Sequence, residues 1–229
     1  MRSVAFIAGN FLREQRWVLL ALAVYSAGMS FALTLGEAAD PEDLVFFARQ
    51  QGTLGLLFGL LLVSAAIHND RRSRRLLLVL SKAVTRWQYL AALALASAAV
   101  SAGFILLAWI ALQVVNDPLA ASIATRMLLP FLPAALLAIS IGICFATLTH
   151  PFFANVLTLA VLGASFAISA RLPAQAALLL PGAGLFLPGL APRGGSLLPA
   201  VIAVILQSAA VFVLTCRIFA RRDLGSNVE

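Results

Sequence analysis

Few side chains able to do chemistry occur in this chain. Two histidines, His68 and His150, and two cysteines, Cys144 and Cys216, are its nitrogen and sulfur donors for a transition metal. All four are predicted toward one face, where a metal site is conceivable, but none of their spacings is that of a zinc site. The reading adopted is no metal and no disulfide framework, with the cysteines packing as small hydrophobes in a reducing compartment. No glycine-rich loop ends in Gly-Lys-Ser or Gly-Lys-Thr, and no GxSxG turn, HExxH pair or paired carboxylates occur within an apolar segment. No catalytic residue is therefore expected. What remains is binding chemistry, carried by short arginine-rich blocks and by a few polar side chains such as Asn155 inside apolar runs.

The elements that must position these groups follow from composition. Hydrophobic residues make up 62% of the 229 and charged residues 11%, against about 25% charged in an ordinary soluble domain. So little polar surface cannot cover a water-facing globule, and lipid must solvate most of the chain. The net charge of +7 sits in blocks between apolar spans, which fits an anionic membrane surface and not nucleic acid.

The hydropathy pattern predicts an all-α integral membrane fold with six spans near 17–35, 46–67, 89–115, 127–148, 152–170 and 197–219. They leave no room for a separate soluble domain. Residues 1–16 place Val4, Ile7, Ala8, Phe11 and Leu12 on one helical face, as an amphipathic interfacial helix requires; a frayed end is the simpler alternative. The first apolar stretch is too long for a signal-peptide core. In the second span, Gly55 and Gly59 form a small-xxx-small pair that would let a neighbouring helix approach closely. The loop from Thr149 to Pro151 is so short that its flanking helices must be an antiparallel hairpin.

Arginine and lysine set the orientation. One side of the six spans would hold Arg2, Arg13, Arg16, Arg71, Arg72, Arg74, Arg75, Lys82, Arg86, Arg217, Arg221 and Arg222, leaving Arg49, Arg126, Arg171 and Arg193 for the other. The richer side is predicted to be cytoplasmic, with both termini there. Residues 171–196 would then be external. Their apolar run, broken by Pro181, Gly182, Gly184 and Pro188, is too interrupted to cross and predicts a re-entrant or interfacial hairpin. Apart from Arg49 and Arg217 near the ends of their spans, no Asp, Glu, Lys or Arg lies within a span, which argues against a proton- or sodium-coupled carrier.

The stretch 68–88 is the most charged in the chain. Its basic start, Arg71, Arg72, Arg74 and Arg75, leads into an apolar core, Leu76 to Leu80, and then a polar turn. This reads as a short helix along the cytoplasmic face. Charge alone could mean no more than anionic-lipid binding, but the apolar core needs a membrane face or a protein groove to cover it. Thr85 and Gln88 have the spacing of a capping box at the start of the third span, with Trp87 and Tyr89 at headgroup level.

The run Leu-Leu-Leu-Val-Leu-Ser-Lys-Ala-Val-Thr-Arg-Trp-Gln-Tyr-Leu, residues 76–90, resembles the cytoplasmic loop signature of type-2 ATP-binding cassette (ABC) exporter permeases. The layout of lead-in helix, six spans and broken external hairpin is similar as well, as is the closing Phe219-Ala-Arg-Arg-Asp-Leu224. Ala83 departs from the family's usual proline, Ala92 and Leu93 stand where Gly-Lys often follows, and of the usual acidic residues before the leucines only Asp70 is present.

The resemblance implies a permease subunit in a bacterial inner membrane, paired with a second copy or a homologue, with ATP and magnesium held by separate nucleotide-binding subunits. It implies a coupling helix from Arg71 to Leu80, contacts to the ATPase from Arg71, Arg72, Arg74, Arg75, Leu77, Leu80, Lys82 and Arg86, and a smaller contact at His150 in the turn after the fourth span. It nominates Phe58, Asn155, Thr158 and Phe166, on the second and fifth spans, as pathway residues. An uncharged pathway suits a hydrophobic or amphipathic cargo. The alternative is a non-transporting scaffold or regulatory subunit of a heteromeric membrane complex.

Overall fold

Within lipid, backbone amides and carbonyls must pair inside the protein, so a chain this apolar is driven to helix. The computed structural model describes residues 2–34, 41–72, 85–114, 121–122, 124–169, 171–182 and 198–221, and its regular structure there is helical throughout. The elements are α1 (Arg2–Glu14), α2 (Arg16–Thr34), α3 (Pro41–Arg72), α4 (Arg86–Val114), a π-helical turn (Ala124–Leu128), α5 (Phe131–Leu148), α6 (Pro151–Ser169), the one-turn α7 (Ala174–Ala177) and α8 (Leu198–Arg221). Arg74, Arg75, Leu77, Leu80 and Lys82 lie outside the described residues, as does the second half of the expected external hairpin.

Among the described residues, five stretches are long and apolar enough to cross a bilayer: Glu42–Asp70, Arg86–Gln113, Thr125–Leu148, Pro151–Ser169 and Leu198–Arg221. The chain is thus a multi-pass helical membrane protein. The first expected span coincides with α2, a helix of 19 residues. The second expected span is only the middle of α3, whose 32 residues extend about 48 Å at 1.5 Å each, past a hydrocarbon core of about 30 Å. No Pro or Gly interrupts the chain between Ile67 and Arg72, so the helix runs on through His68, Asn69 and Asp70, residues that hydropathy alone assigns to a loop. The fourth expected span is divided. The π-helical turn precedes Pro130, which lacks an amide hydrogen and stands at the N-cap of α5.

Helix α5 is the centre. Helices α3, α4, α6 and α8 all pack on it, and 61% of its span window is buried against 22% for α8. Glycines set how close these helices come. A Cβ on Gly59 would fall on Ser101 Oγ and lie 3.0 Å from Ile139 Cδ1; one on Gly55 would lie 2.7 Å from Ile105 Cγ1. Gly52 accommodates the Phe131 ring and Gly142 the end of Leu60. The expected small-xxx-small pair therefore lies against α4, and two further glycines bring α3 and α5 together.

Helix α1 turns its apolar face inward. Val4 and Phe11 are buried, Ile7, Ala8 and Leu12 half-buried, and α4 is the helix α1 packs on most closely. The amphipathic pattern is as read from sequence, but the chain's own helices cover much of that face. Phe6 points the other way and is 79% exposed.

Replacing Gly59 with Val is expected to lower bundle stability in detergent by about 1–3 kcal/mol through overpacking against Ser101 and Ile139. Gly103→Ala and Gly163→Ala, whose added methyls would meet nothing within 4 Å, are expected to leave the thermal midpoint unchanged or raised. Equal losses at all three would remove the close-approach explanation.

Candidate functional site

One end of the bundle gathers α1, the end of α3, the start of α4 and the end of α8. Phe11, Ile67, Tyr89, Leu90 and Phe219 belong to a single buried cluster there, so the two termini of the described chain lie at the same end. Arg13, Arg16, Arg72, Arg217 and Arg221 are exposed toward this end, while Arg49, Arg126 and Arg171 are exposed on elements of the opposite end. The Arg16 guanidinium lies 5.5 Å from the Trp17 ring centroid, a cation–π contact with an aromatic suited to headgroup level.

The first turn of α4 fastens this end. Arg86 Nη1 donates to the carbonyls of both Phe219 and Ala220 at 2.9 Å. Those carbonyls belong to the last turn of α8, where acceptors lack intrahelical partners and a cation complements the helix dipole. Its guanidinium also lies 6.0 Å from the Phe219 ring centroid. The Tyr89 hydroxyl donates to Asp70 Oδ2 at 2.8 Å, tying α4 to the last turns of α3. The Thr85 amide donates to Gln88 Oε1 at 3.1 Å, the backward half of the expected capping box. Arg86, nominated for an ATPase contact, thus directs its charge into the chain's own α8.

The turn between α5 and α6 lies beside this clasp. His150 packs edge to face on His68, ring centroids 4.9 Å apart, and its Nδ1 accepts from the Phe152 amide at 3.4 Å in the first turn of α6. Among the described residues no group of three His, Cys, Asp or Glu could hold a metal ion. Cys144 and Cys216 are both free and half-buried. Arg71 and Arg72, read as the start of the coupling helix, belong to the last turn of α3.

The four pathway nominees do not share one surface. Phe58 stacks edge to face on Phe104 of α4 at 5.4 Å. Thr158 is fully buried, with its hydroxyl donating to the Ala154 carbonyl at 2.7 Å, and it faces Gly142 of α5. Asn155 is half-buried with Oδ1 unpartnered. Phe166 is 40% exposed.

Sequence reasoning missed Gln207. Its Nε2 donates to the carbonyls of Leu178 at 2.9 Å and Leu180 at 3.2 Å, and its Oε1 accepts from the Gly182 amide at 3.1 Å. Gly182 has φ 71°, a conformation that favours glycine. One side chain therefore satisfies three backbone groups of the turn after α7. The signal was present as a lone amide in an otherwise apolar span, the kind of residue that finds a partner in a membrane protein.

Comparison of the sequence with protein-family models and with curated proteins finds no significant match.

Arg86→Ala should lower stability by about 1 kcal/mol, below the usual value for two charge-assisted bonds because the group is half-buried, and should speed maleimide labelling of Cys216, which packs against the same cluster. Arg86→Lys should restore part of both; unchanged labelling in the alanine variant would show that the α8 end is held by packing alone. Gln207→Leu should cost about 2 kcal/mol, from three bonds at roughly 0.6 kcal/mol each, and accelerate hydrogen exchange at Gly182. Retained protection there would refute the clamp.

Proposed function

We propose that this chain is the membrane-spanning subunit of an ATP-driven exporter that moves a hydrophobic or amphipathic cargo. In this reading α2 is a sixth span, the arginine-rich end is cytoplasmic, and the membrane is the bacterial inner membrane. ATP and magnesium belong to separate nucleotide-binding subunits, and a second copy or a homologue completes the pathway.

The observation that carries the reading is that residues 86–90, the close of the motif, open α4 at an end where Asp70, Tyr89 and Arg86 join α3, α4 and α8. A partner pressing on the intervening segment would act on three helices at once. The excess of arginine at that end supports its cytoplasmic assignment. The His150 turn, packed on His68 of α3, offers the same partner a second, smaller contact. The turn held by Gln207 supports a re-entrant external hairpin: Gln207 is nine residues in from Leu198, about 13 Å along α8, and irregular backbone survives at that depth only when its polar groups are paired.

Tagged protein extracted from native membranes in mild detergent is expected to carry a nucleotide-binding subunit and to hydrolyse ATP. Leu77→Asp with Leu80→Asp should abolish both, because the apolar core of the docking helix would be charged. Recovery of partners without any ATPase would favour the scaffold reading instead.

A further inference from the structure

Many buried hydroxyls of the bundle bond back to their own helix: Ser64 to the Leu61 carbonyl, Ser140 to Leu136, Thr158 to Ala154, Ser165 to Val161, Ser208 to Val204 and Thr215 to Val211, all at 2.7–3.0 Å. Three polar residues of the α3–α4 interface do not. On α4, Ser97 and Ser101 are 0% and 1% exposed, yet neither hydroxyl has a hydrogen-bond partner. On α3, Gln51 is fully buried, with both the oxygen and the nitrogen of its amide unpartnered.

These groups share one seam. Gln51, Gly55 and Gly59 recur every four residues on α3 and so lie on one helical face. Gly59 abuts Ser101 Oγ and the Ser97 carbonyl, and Gly55 abuts Ile105 and Phe104. The seam is narrow because its α3 side is glycine, and none of its members is ionisable. Polar side chains buried in a bundle normally bond across to the neighbouring helix, whereas here four polar atoms are desolvated without return. Burying them this way disfavours the closed seam relative to any state in which they find partners.

We propose that α3 and α4 part along this seam, and that Gln51 at one level, and Ser101 and Ser97 about 12 Å or more along it, then hydrogen-bond neutral polar guests, the hydroxyl-bearing headgroups of amphipaths, which water replaces when no amphipath is bound. An uncharged lining of amide and hydroxyls suits an uncharged headgroup and would not offset the desolvation of a charged one. The proposal extends the transport reading but concerns this chain alone.

The test uses Gln51→Cys and Ser101→Cys, each with Cys144→Ala and Cys216→Ala, reconstituted without any ATPase in phosphatidylethanolamine–phosphatidylglycerol vesicles. A water-borne sulfonated methanethiosulfonate reagent should label both positions at least about tenfold faster than Leu137→Cys, a fully buried position of α5 that local opening of the seam does not expose. Monoolein in the vesicles should slow labelling about threefold or more by occupying the opened state, and oleate at the same level should not. No labelling at either position, or labelling equal to that of Leu137→Cys, overturns the opening. Labelling that neither lipid slows, or that both slow alike, overturns the guest. Because no ATPase is present, none of these outcomes depends on the docking segment.

Discussion

The bundle depends on how closely α3 can approach its neighbours. Lipid tails are as apolar as leucine, so helices in a membrane gain nothing from hiding apolar surface and associate through close packing and hydrogen bonds. Helix α3 achieves that packing by having no side chain where contact is tightest: Gly55 and Gly59 face α4, and Gly52 faces Phe131 of α5. Gly142 returns the same courtesy from α5 to Leu60. With these contacts made, α5 becomes the axis on which α6 and α8 also pack. A side chain at any of these points would push apart helices whose association depends on that close packing.

Close packing leaves little room for polar groups, and the two ends of the bundle solve this in the same way. At the arginine-rich end, the last carbonyls of α8 are capped from another helix by Arg86. At the other, the turn after α7 pairs its Leu179 and Leu180 amides with the Ala176 and Ala177 carbonyls, and Gln207 supplies three further bonds from within α8. In each case one long side chain satisfies the irregular backbone of a different element. The bonds therefore fix tertiary arrangement as well as local structure, because neither Arg86 nor Gln207 can be satisfied if the elements move apart.

Five of the six expected spans were legible because membrane hydropathy is a composition signal that survives without knowledge of packing. The hairpin at Thr149 to Pro151, the close approach at Gly55 and Gly59 and the one-sided apolar pattern of α1 followed from spacing, whereas the packing of that face against the chain's own helices did not. Helix ends were less legible. The apolar run stops at Ile67, but helical hydrogen bonding does not, and α3 continues to Arg72. Partner choice was less legible still: Arg86 looks from sequence like one more cation in a basic segment, and only the position of α8 gives its guanidinium two carbonyls to bond. Gln207 illustrates the same limit, since a lone amide announces that it needs partners without naming them. The site residues between Arg72 and Thr85 gain nothing from the fold beyond the placement of the two helices they connect.

That placement has a mechanical consequence. The segment between α3 and α4 is short, and both of its ends are held: Asp70 to Tyr89 on one side, Arg86 to the end of α8 on the other. A force applied to the segment cannot be taken up by sliding α4 alone, because the first turn of α4 carries the last turns of α3 and α8 with it. Helix α6 is joined to this group differently, through α5 and through the His68–His150 contact, and its span window is only 28% buried. Rigid clasps concentrate displacement in whatever interface is least well bonded. Among the helices so joined, α3 and α4 are held together firmly at the arginine-rich end by a hydrogen bond, while farther along the same pair the polar side chains make none. A load entering at Asp70 and Arg86 would therefore reach a hydrogen-bonded contact at one end of the α3–α4 pair and, beyond it, a seam where Gln51, Ser97 and Ser101 make no side-chain hydrogen bond.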